Sequence, residues 1–240
     1  MIANLPMYDW PETVWANDAL WAAIRARLGY GPERLDRSLG LWEAWEHLDL
    51  LLSQTCGLPY RTRLLGKVTL VASPDYGLPG CAPGYYNSVL VARSDDQSTV
   101  QDLFSRRLVI NQSHSQSGHA ALISHAQKLN AKLGPKVESG AHIESARMVA
   151  RNEADLAVID AHTWRLIQRY EDVARLLREC DRTTPTPATP FITARGNDPD
   201  PLRRALTSAL ADLSPETRAI LNLRAIVEIP HEVYMAVPNP

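Results

Sequence analysis

Leu108-Val109-Ile110-Asn111-Gln112-Ser113-His114-Ser115-Gln116-Ser117-Gly118-His119-Ala120-Ala121-Leu122 changes character twice within a short span. Leu108, Val109 and Ile110 are short and apolar enough for a buried strand, and a small polar loop follows them. The loop runs into Ala120-Ala121-Leu122-Ile123-Ser124-His125-Ala126, which favours helix. A strand–loop–helix turn exposes backbone N–H groups at the positive end of a helix dipole, a setting that suits an oxyanion. Ser113, Ser115 and Ser117 bring hydroxyls, and Gly118 lets the backbone approach closely. The G-x-x-x-x-G-K-[ST] pattern of a nucleotide loop is missing. A helix capped by serine explains the same residues without any ligand.

Outward from this loop, apolar runs alternate with helical spacing. Strands are predicted at residues 2–5, 49–53, 67–72, 85–93, 107–111, 136–139, 155–160 and 191–194. Helices are predicted at 12–28, 42–48, 99–104, 118–133, 143–152, 161–170, 201–213 and 215–223. Residues 173–179 fit either state, and 183–190 read as an extended Thr/Pro-rich segment. This alternation predicts an α/β protein with largely parallel sheets, whose ligands gather beyond the carboxyl ends of the strands. Four polar clusters follow candidate strands: Tyr8-Asp9, Gln54-Thr55-Cys56, the serine loop and Asp160.

Composition narrows the function classes. The 240 residues are 45% hydrophobic and 22% charged with a formal charge of -2, which argues against nucleic-acid binding. Arg61-Thr62-Arg63 and Arg203-Arg204 read as solvated helix faces. No apolar run reaches the ~20 residues of a membrane span, so no membrane insertion is expected. The N-terminal residues show no secretory signal. The expectation is a cytoplasmic protein as written, or a periplasmic one if a leader has been removed. Cys56, Cys81 and Cys180 are too few for a disulfide framework and lack zinc spacing, and His114, His119 and His125 share no tight ligand spacing with a carboxylate. No metal and no cofactor is expected. Cys56 reads as a small packed thiol rather than a nucleophile, since nothing sets a base beside it.

Several stretches together resemble a known family: Leu5-Pro6-Met7-Tyr8-Asp9, Leu51-Leu52-Ser53-Gln54-Thr55-Cys56-Gly57, Tyr85-Tyr86-Asn87-Ser88, Ser115-Gln116-Ser117-Gly118 and Ser139-Gly140-Ala141-His142-Ile143-Glu144-Ser145. In this order they resemble the PhnD-like phosphate/phosphonate substrate-binding proteins of ABC importers, which have the type 2 periplasmic-binding-protein fold. The likeness runs from Ile2 to about Ala194.

The resemblance implies two α/β lobes joined by two crossover strands, with a ligand cleft between the lobes. Lobe 1 is then 1–88 plus 190–240 and lobe 2 is 89–189, with crossovers at 86–93 and within 183–194. It implies that the serine loop holds the phosphoryl oxygens, and that His142 and Ser145 match the family's G-x-H-x-x-S turn. Asp160 matches a strand-end position near the hinge. The ligand-binding candidates are therefore Tyr8, Gln54, Thr55, Tyr86, Ser113, Ser115, Ser117, Gly118, His142, Ser145 and Asp160. Glu144 complements a helix dipole. The family's loop often reads Ser-Thr-Ser, where this chain has Ser115-Gln116-Ser117. Cys56 and Cys81 each follow a candidate strand of the first lobe, so a bridge is conceivable in an oxidising compartment and thiols in the cytoplasm. The implied partners are a small phosphate- or phosphonate-like anion and an ABC permease. The alternative is an enzyme on the same scaffold acting on an anionic metabolite.

Overall fold

The computed structural model describes residues 1–240, and the chain divides into two compact units. Met1–Tyr85 with Pro187–Ala236 forms the first, and Tyr86–Thr186 with Val237–Pro240 the second.

The first unit holds a five-stranded sheet in the order Ile2–Ala3, Leu50–Gln54, Phe191–Ala194, Val68–Asp75, Ala225–Val227. Every residue of Leu50–Gln54 and Phe191–Ala194 is buried, as expected of central strands covered on both faces. Helix Val14–Leu28 packs against helix Pro199–Asp212. It stops at Gly29, whose φ of 78° is open to a residue without a Cβ. Trp45, Leu50, Tyr60, Leu64, Ile192 and Tyr234 centre the core.

The second unit has a sheet in the order Lys136–Glu138, Leu108–Ile110, Leu156–Asp160, Ser88–Arg93, Leu177–Arg182. Leu90, Phe104, Leu108, Ile110, Leu122, Leu156 and Val158 fill its core. Where the chain passes between units, Tyr85–Tyr86 and Thr186–Pro187 pair as a two-stranded ribbon.

The sheets are mixed rather than largely parallel. Phe191–Ala194 lies between Leu50–Gln54 and Val68–Asp75 and runs against both. Ser88–Arg93 likewise opposes Leu156–Asp160 and Leu177–Arg182. Each of these strands enters its sheet as the chain arrives from the other unit, so its direction is set by that passage and not by a helical crossover.

Three elements depart from the expected spans. The apolar run at 85–93 breaks at Asn87, so only Tyr85–Tyr86 belongs to the ribbon and Ser88–Arg93 is a sheet strand of the second unit. The helix expected over 118–133 opens as a π-helical turn, Gln116–Ala120, continues as Ala121–Lys128 and stops short. Asn130 adopts a left-handed φ of 52° just beyond it, and Gly134 N–H then bonds the Phe104 carbonyl, pinning the chain back. Gly57–Arg61, Ala225–Val227 and His231–Met235 form elements that local patterning does not announce. No disulfide joins Cys56, Cys81 or Cys180. No helix is long and apolar enough to cross a membrane.

Candidate functional site

In the second unit, strand Leu108–Ile110 ends between two turns that each open a helix. Its neighbours Lys136–Glu138 and Leu156–Asp160 run parallel to it, so their carboxyl ends share one edge. The backbone fastens the two turns together: Ser139 N–H donates to the Ile110 carbonyl at 2.9 Å and Gly140 N–H to the Asn111 carbonyl at 2.8 Å.

The first turn is the serine loop. Ser115 is the N-cap, its Oγ accepting from Gly118 N–H at 3.0 Å, which ties down one donor of the opening turn. The Ser88 hydroxyl donates to the Ser117 carbonyl at 2.8 Å, anchoring the loop to the start of strand Ser88–Arg93. A Cβ at Gly118 would overlap Asn111 Oδ1, so a larger residue there needs the Asn111 side chain to move. Ser115, Gln116 and Ser117 are buried and Ser113 is exposed, so Ser113 stands apart from the other two serines.

The second turn opens helix His142–Ala150, whose N-cap Ala141 contributes no side-chain cap. Its first N–H groups are thus left for an external acceptor. Gly140, with φ 89°, makes the turn. Ser145 is held inside, its Oγ 2.8 Å from Ser139 Oγ, and serves the turn from within.

The turns meet at one contact, Ser117 Oγ to His142 Nε2 at 2.9 Å. Ser115 Oγ lies 3.4 Å from Ser117 Oγ. Burial pushes His142 down to about 3, opposed only by the nearby Val158 backbone, so the ring is neutral at physiological pH. Its Nδ1 has no partner in bonding geometry. Residues 109–127 and 137–146 contain neither lysine nor arginine. The arrangement is therefore one of dipoles and hydroxyls, able to receive an anion without ion pairing.

Asp160 ends the adjoining strand and does different work. Its Oδ1 accepts from the N–H groups of His162 and Thr163 at 2.7 and 2.9 Å, capping helix Ala161–Tyr170 with a carboxylate. A third helix start on this edge is thereby closed to a ligand anion.

In the first unit, Gln54 Nε2 donates to Tyr76 Oη at 3.0 Å and to Thr189 Oγ1 and the Thr189 carbonyl at 3.0 and 3.2 Å. Thr55 is fully buried, and its Oγ1 has no partner. The Asn4 Oδ1 is also without one. Tyr8 is buried, its ring edge-on to Tyr76 at 5.1 Å, and Tyr86 is buried in the ribbon. Gln54 thus has a packing role in addition to its position at a strand end.

Asn111, Ser139 and Ser88 of the second unit stand within the quoted stretches but not among the binding candidates, and Asn4, Tyr76 and Thr189 of the first unit are not singled out by the sequence at all. Asn111 and Ser139 each directly follow a strand, which is the signal that would have found them. The contacts of Ser88 and Thr189 are made across distant sequence and leave no local trace. No three His, Cys, Asp or Glu side chains are grouped so as to hold a metal.

No curated protein matches the chain. Among solved structures, PhnD1 from Prochlorococcus marinus in complex with methylphosphonate aligns over 97% of this chain and 93% of its own, at 12% identity and a TM-score of 0.75. A binding protein component of an ABC phosphonate transporter from Pseudomonas aeruginosa aligns over 98% and 82%, at 14% identity and 0.72. A histidine kinase sensor domain with similarity to periplasmic binding proteins aligns over 95% and 98%, at 16% identity and 0.62. At these identities the likeness is one of fold, a two-lobed periplasmic-binding-protein arrangement. The sequence model described as ABC transporter, phosphonate, periplasmic substrate-binding protein matches residues 47–229. That match covers well over half of the sequence and takes in both turns of the second unit, and so the chain belongs to the family of periplasmic substrate-binding proteins of phosphonate ABC transporters.

Proposed function

We propose that this protein binds a phosphonate, or a closely similar tetrahedral oxyanion such as phosphate or phosphite, at the strand-end turns of the second unit, and delivers it to an ABC permease. The observation that carries this reading is the meeting of two helix openings at the Ser117–His142 contact, one of them without a side-chain cap. Uncapped N–H groups at a helix start are matched to phosphoryl oxygens. Of the candidates from the sequence, Ser115, Ser117, Gly118 and His142 belong to this site in our reading. Ser145 supports its turn, and Asp160 caps a neighbouring helix. Exposed Ser113 we leave outside the site, and the remaining candidates, Tyr8, Gln54, Thr55 and Tyr86, we assign a secondary part, with Thr55 the strongest because its buried hydroxyl lacks a partner. The family is described as periplasmic, which supports the periplasm as the compartment of action over the cytoplasm.

A second reading has one observation in its favour. A serine 2.9 Å from a histidine has the spacing of a nucleophile and its base. Here the histidine lacks the orienting partner on Nδ1, and a group pushed down to about 3 is a feeble base at neutral pH. We therefore favour binding without turnover.

Titration calorimetry with methylphosphonate, phosphate, phosphite and sulfate tests the proposal. Ser117→Ala should weaken binding by ~1–3 kcal/mol, the range for a hydrogen bond to a charged group, with little change in stability. An unchanged affinity would remove Ser117 from the site. Release of product from any of these ligands, or from an aryl ester, would favour the enzyme.

A further inference from the structure

We propose that the first unit carries a self-complementary docking surface for a second copy of this chain, centred on Tyr30 and Pro201 and closed by a two-fold axis. The surface is independent of the oxyanion site, whose turns belong to the second unit.

Two grooves lie side by side on the first unit. One, of about 220 Å³, is lined by Leu28, Pro201 and Ala205 together with Arg27 and Arg204. The other, of about 260 Å³, is lined by Leu51, Pro201 and Leu202 together with Leu48, Asp49 and Asp198. Tyr30 and Pro201 line both, so the grooves form one strip with a basic half and an acidic half.

Part of the charge on this strip is already engaged within the chain. Arg27 pairs with Asp212, and Asp198 caps helix Pro199–Asp212. Arg204 and Asp49 are exposed, and neither side chain makes an ion pair or hydrogen bond. Next to Asp49 stands Leu48, 92% exposed and the barest of the large apolar side chains. Tyr30 is itself 46% exposed. A bare leucine, a bare tyrosine ring and two unpaired opposite charges thus share one small face.

A two-fold operation lays such a strip on itself with its halves exchanged, so that each residue and its counterpart meet twice. With the axis at Tyr30 and Pro201, the acidic half of one copy faces the basic half of the other. Leu48 then enters the groove beside Leu28 and Ala205 of the second copy, and the adjoining Asp49 meets Arg204. The projecting Leu48-Asp49 pair and the groove that receives it are parts of one sequence, and this self-match is what favours a second copy over any other occupant. Removal of Leu48 and Tyr30 from water supplies the attraction, and the two Asp49–Arg204 pairs set the register. The strip is small beside a standard interface of roughly 800 Å² per partner, so the dimer is reversible and concentration-dependent.

The test is sedimentation of the whole chain from about 1 to about 500 µM, the range in which small interfaces associate. A monomer–dimer equilibrium is expected. Leu48→Lys should abolish it, because the new cation faces Arg27 and Arg204 of the second copy. Asp49→Arg and Arg204→Asp should each weaken self-association by about tenfold or more, since each sets like charges face to face at two places. An equimolar mixture of those two variants should regain the native dimer, because both contacts across the axis are then opposite in sign again. The substituted side chains are exposed, and thermal unfolding checks that each variant is folded. A chain that stays monomeric at every concentration overturns the inference. So does dimerisation that the three substitutions leave unmoved, or single variants that mixing does not rescue. Growth beyond two copies also overturns it, since a head-to-tail contact would then replace the two-fold one.

Discussion

Gly118 and Asn111 touch so closely that each constrains the other. Asn111 Oδ1 fills the volume a Cβ at Gly118 would need, and it is a buried acceptor without a partner. Gly118→Ala should destabilise the protein by ~1–3 kcal/mol, the usual cost of overpacking. Asn111→Ala in the same chain should restore part of that loss. Urea unfolding of the two single variants and the double variant measures the coupling, and additive losses would mean the side chains do not meet.

His142 and His162 are the other residues with a measurable signature, because burial pushes both down to about 3 from an ordinary 6.5. Between those values the unfolded chain holds protons that the folded one does not. Stability therefore rises with pH through this window, and acidification from about 6.5 towards 3 removes it. The slope should approach ~1.4 kcal/mol per pH unit for each histidine. Urea midpoints recorded from pH 7 to 4 should fall, and His162→Gln should make the fall shallower. A midpoint independent of pH in that range would show that neither ring is buried as a neutral group.

At the scale of elements, the three helices opening on one sheet edge are treated differently. Gln116–Ala120 begins with a serine cap, His142–Ala150 with no side-chain cap, and Ala161–Tyr170 with the carboxylate of Asp160. A carboxylate already seated on a helix start repels a second anion there, which leaves the other two for a ligand. Asp160→Ala should cost ~1–2 kcal/mol in stability through the lost cap, and Asp160→Asn much less, since asparagine caps as well. Ligand affinity should be nearly unchanged in Asp160→Asn. A large loss of methylphosphonate affinity with intact stability would make Asp160 a ligand contact instead.

For the molecule as a whole, a ligand that binds only the folded state stabilises it by mass action, by ~2.7 kcal/mol at a hundred times its dissociation constant. Thermal unfolding should therefore shift upward with methylphosphonate. The shift at fixed ligand concentration should shrink in Ser117→Ala in proportion to its lost affinity. An equal shift in both proteins would move the binding site away from the serine loop.

What the sequence by itself determined follows from interactions between near neighbours. Alternating apolar runs and helical spacing mark most of the elements. Phe191–Ala194 and Ala161–Tyr170 coincide with their predicted spans, because burial period and turn residues act within a few positions. The ordered motifs from Leu5 to Ser145 likewise carry enough local identity to resemble the family that the match over residues 47–229 shows. The tertiary structure alone decided the rest. Strand direction in the mixed sheets depends on where the chain re-enters each unit, which no local period encodes. The helix after the serine loop ends early because Gly134 is drawn back to Phe104. Which polar group is spent and which remains open was also settled at long range. Gln54 is engaged by Thr189, 135 positions away, and Ser117 is anchored by Ser88, 29 positions away. His142 is neutral because elements distant in sequence strip its water, and desolvation belongs to the folded volume rather than to any stretch of chain.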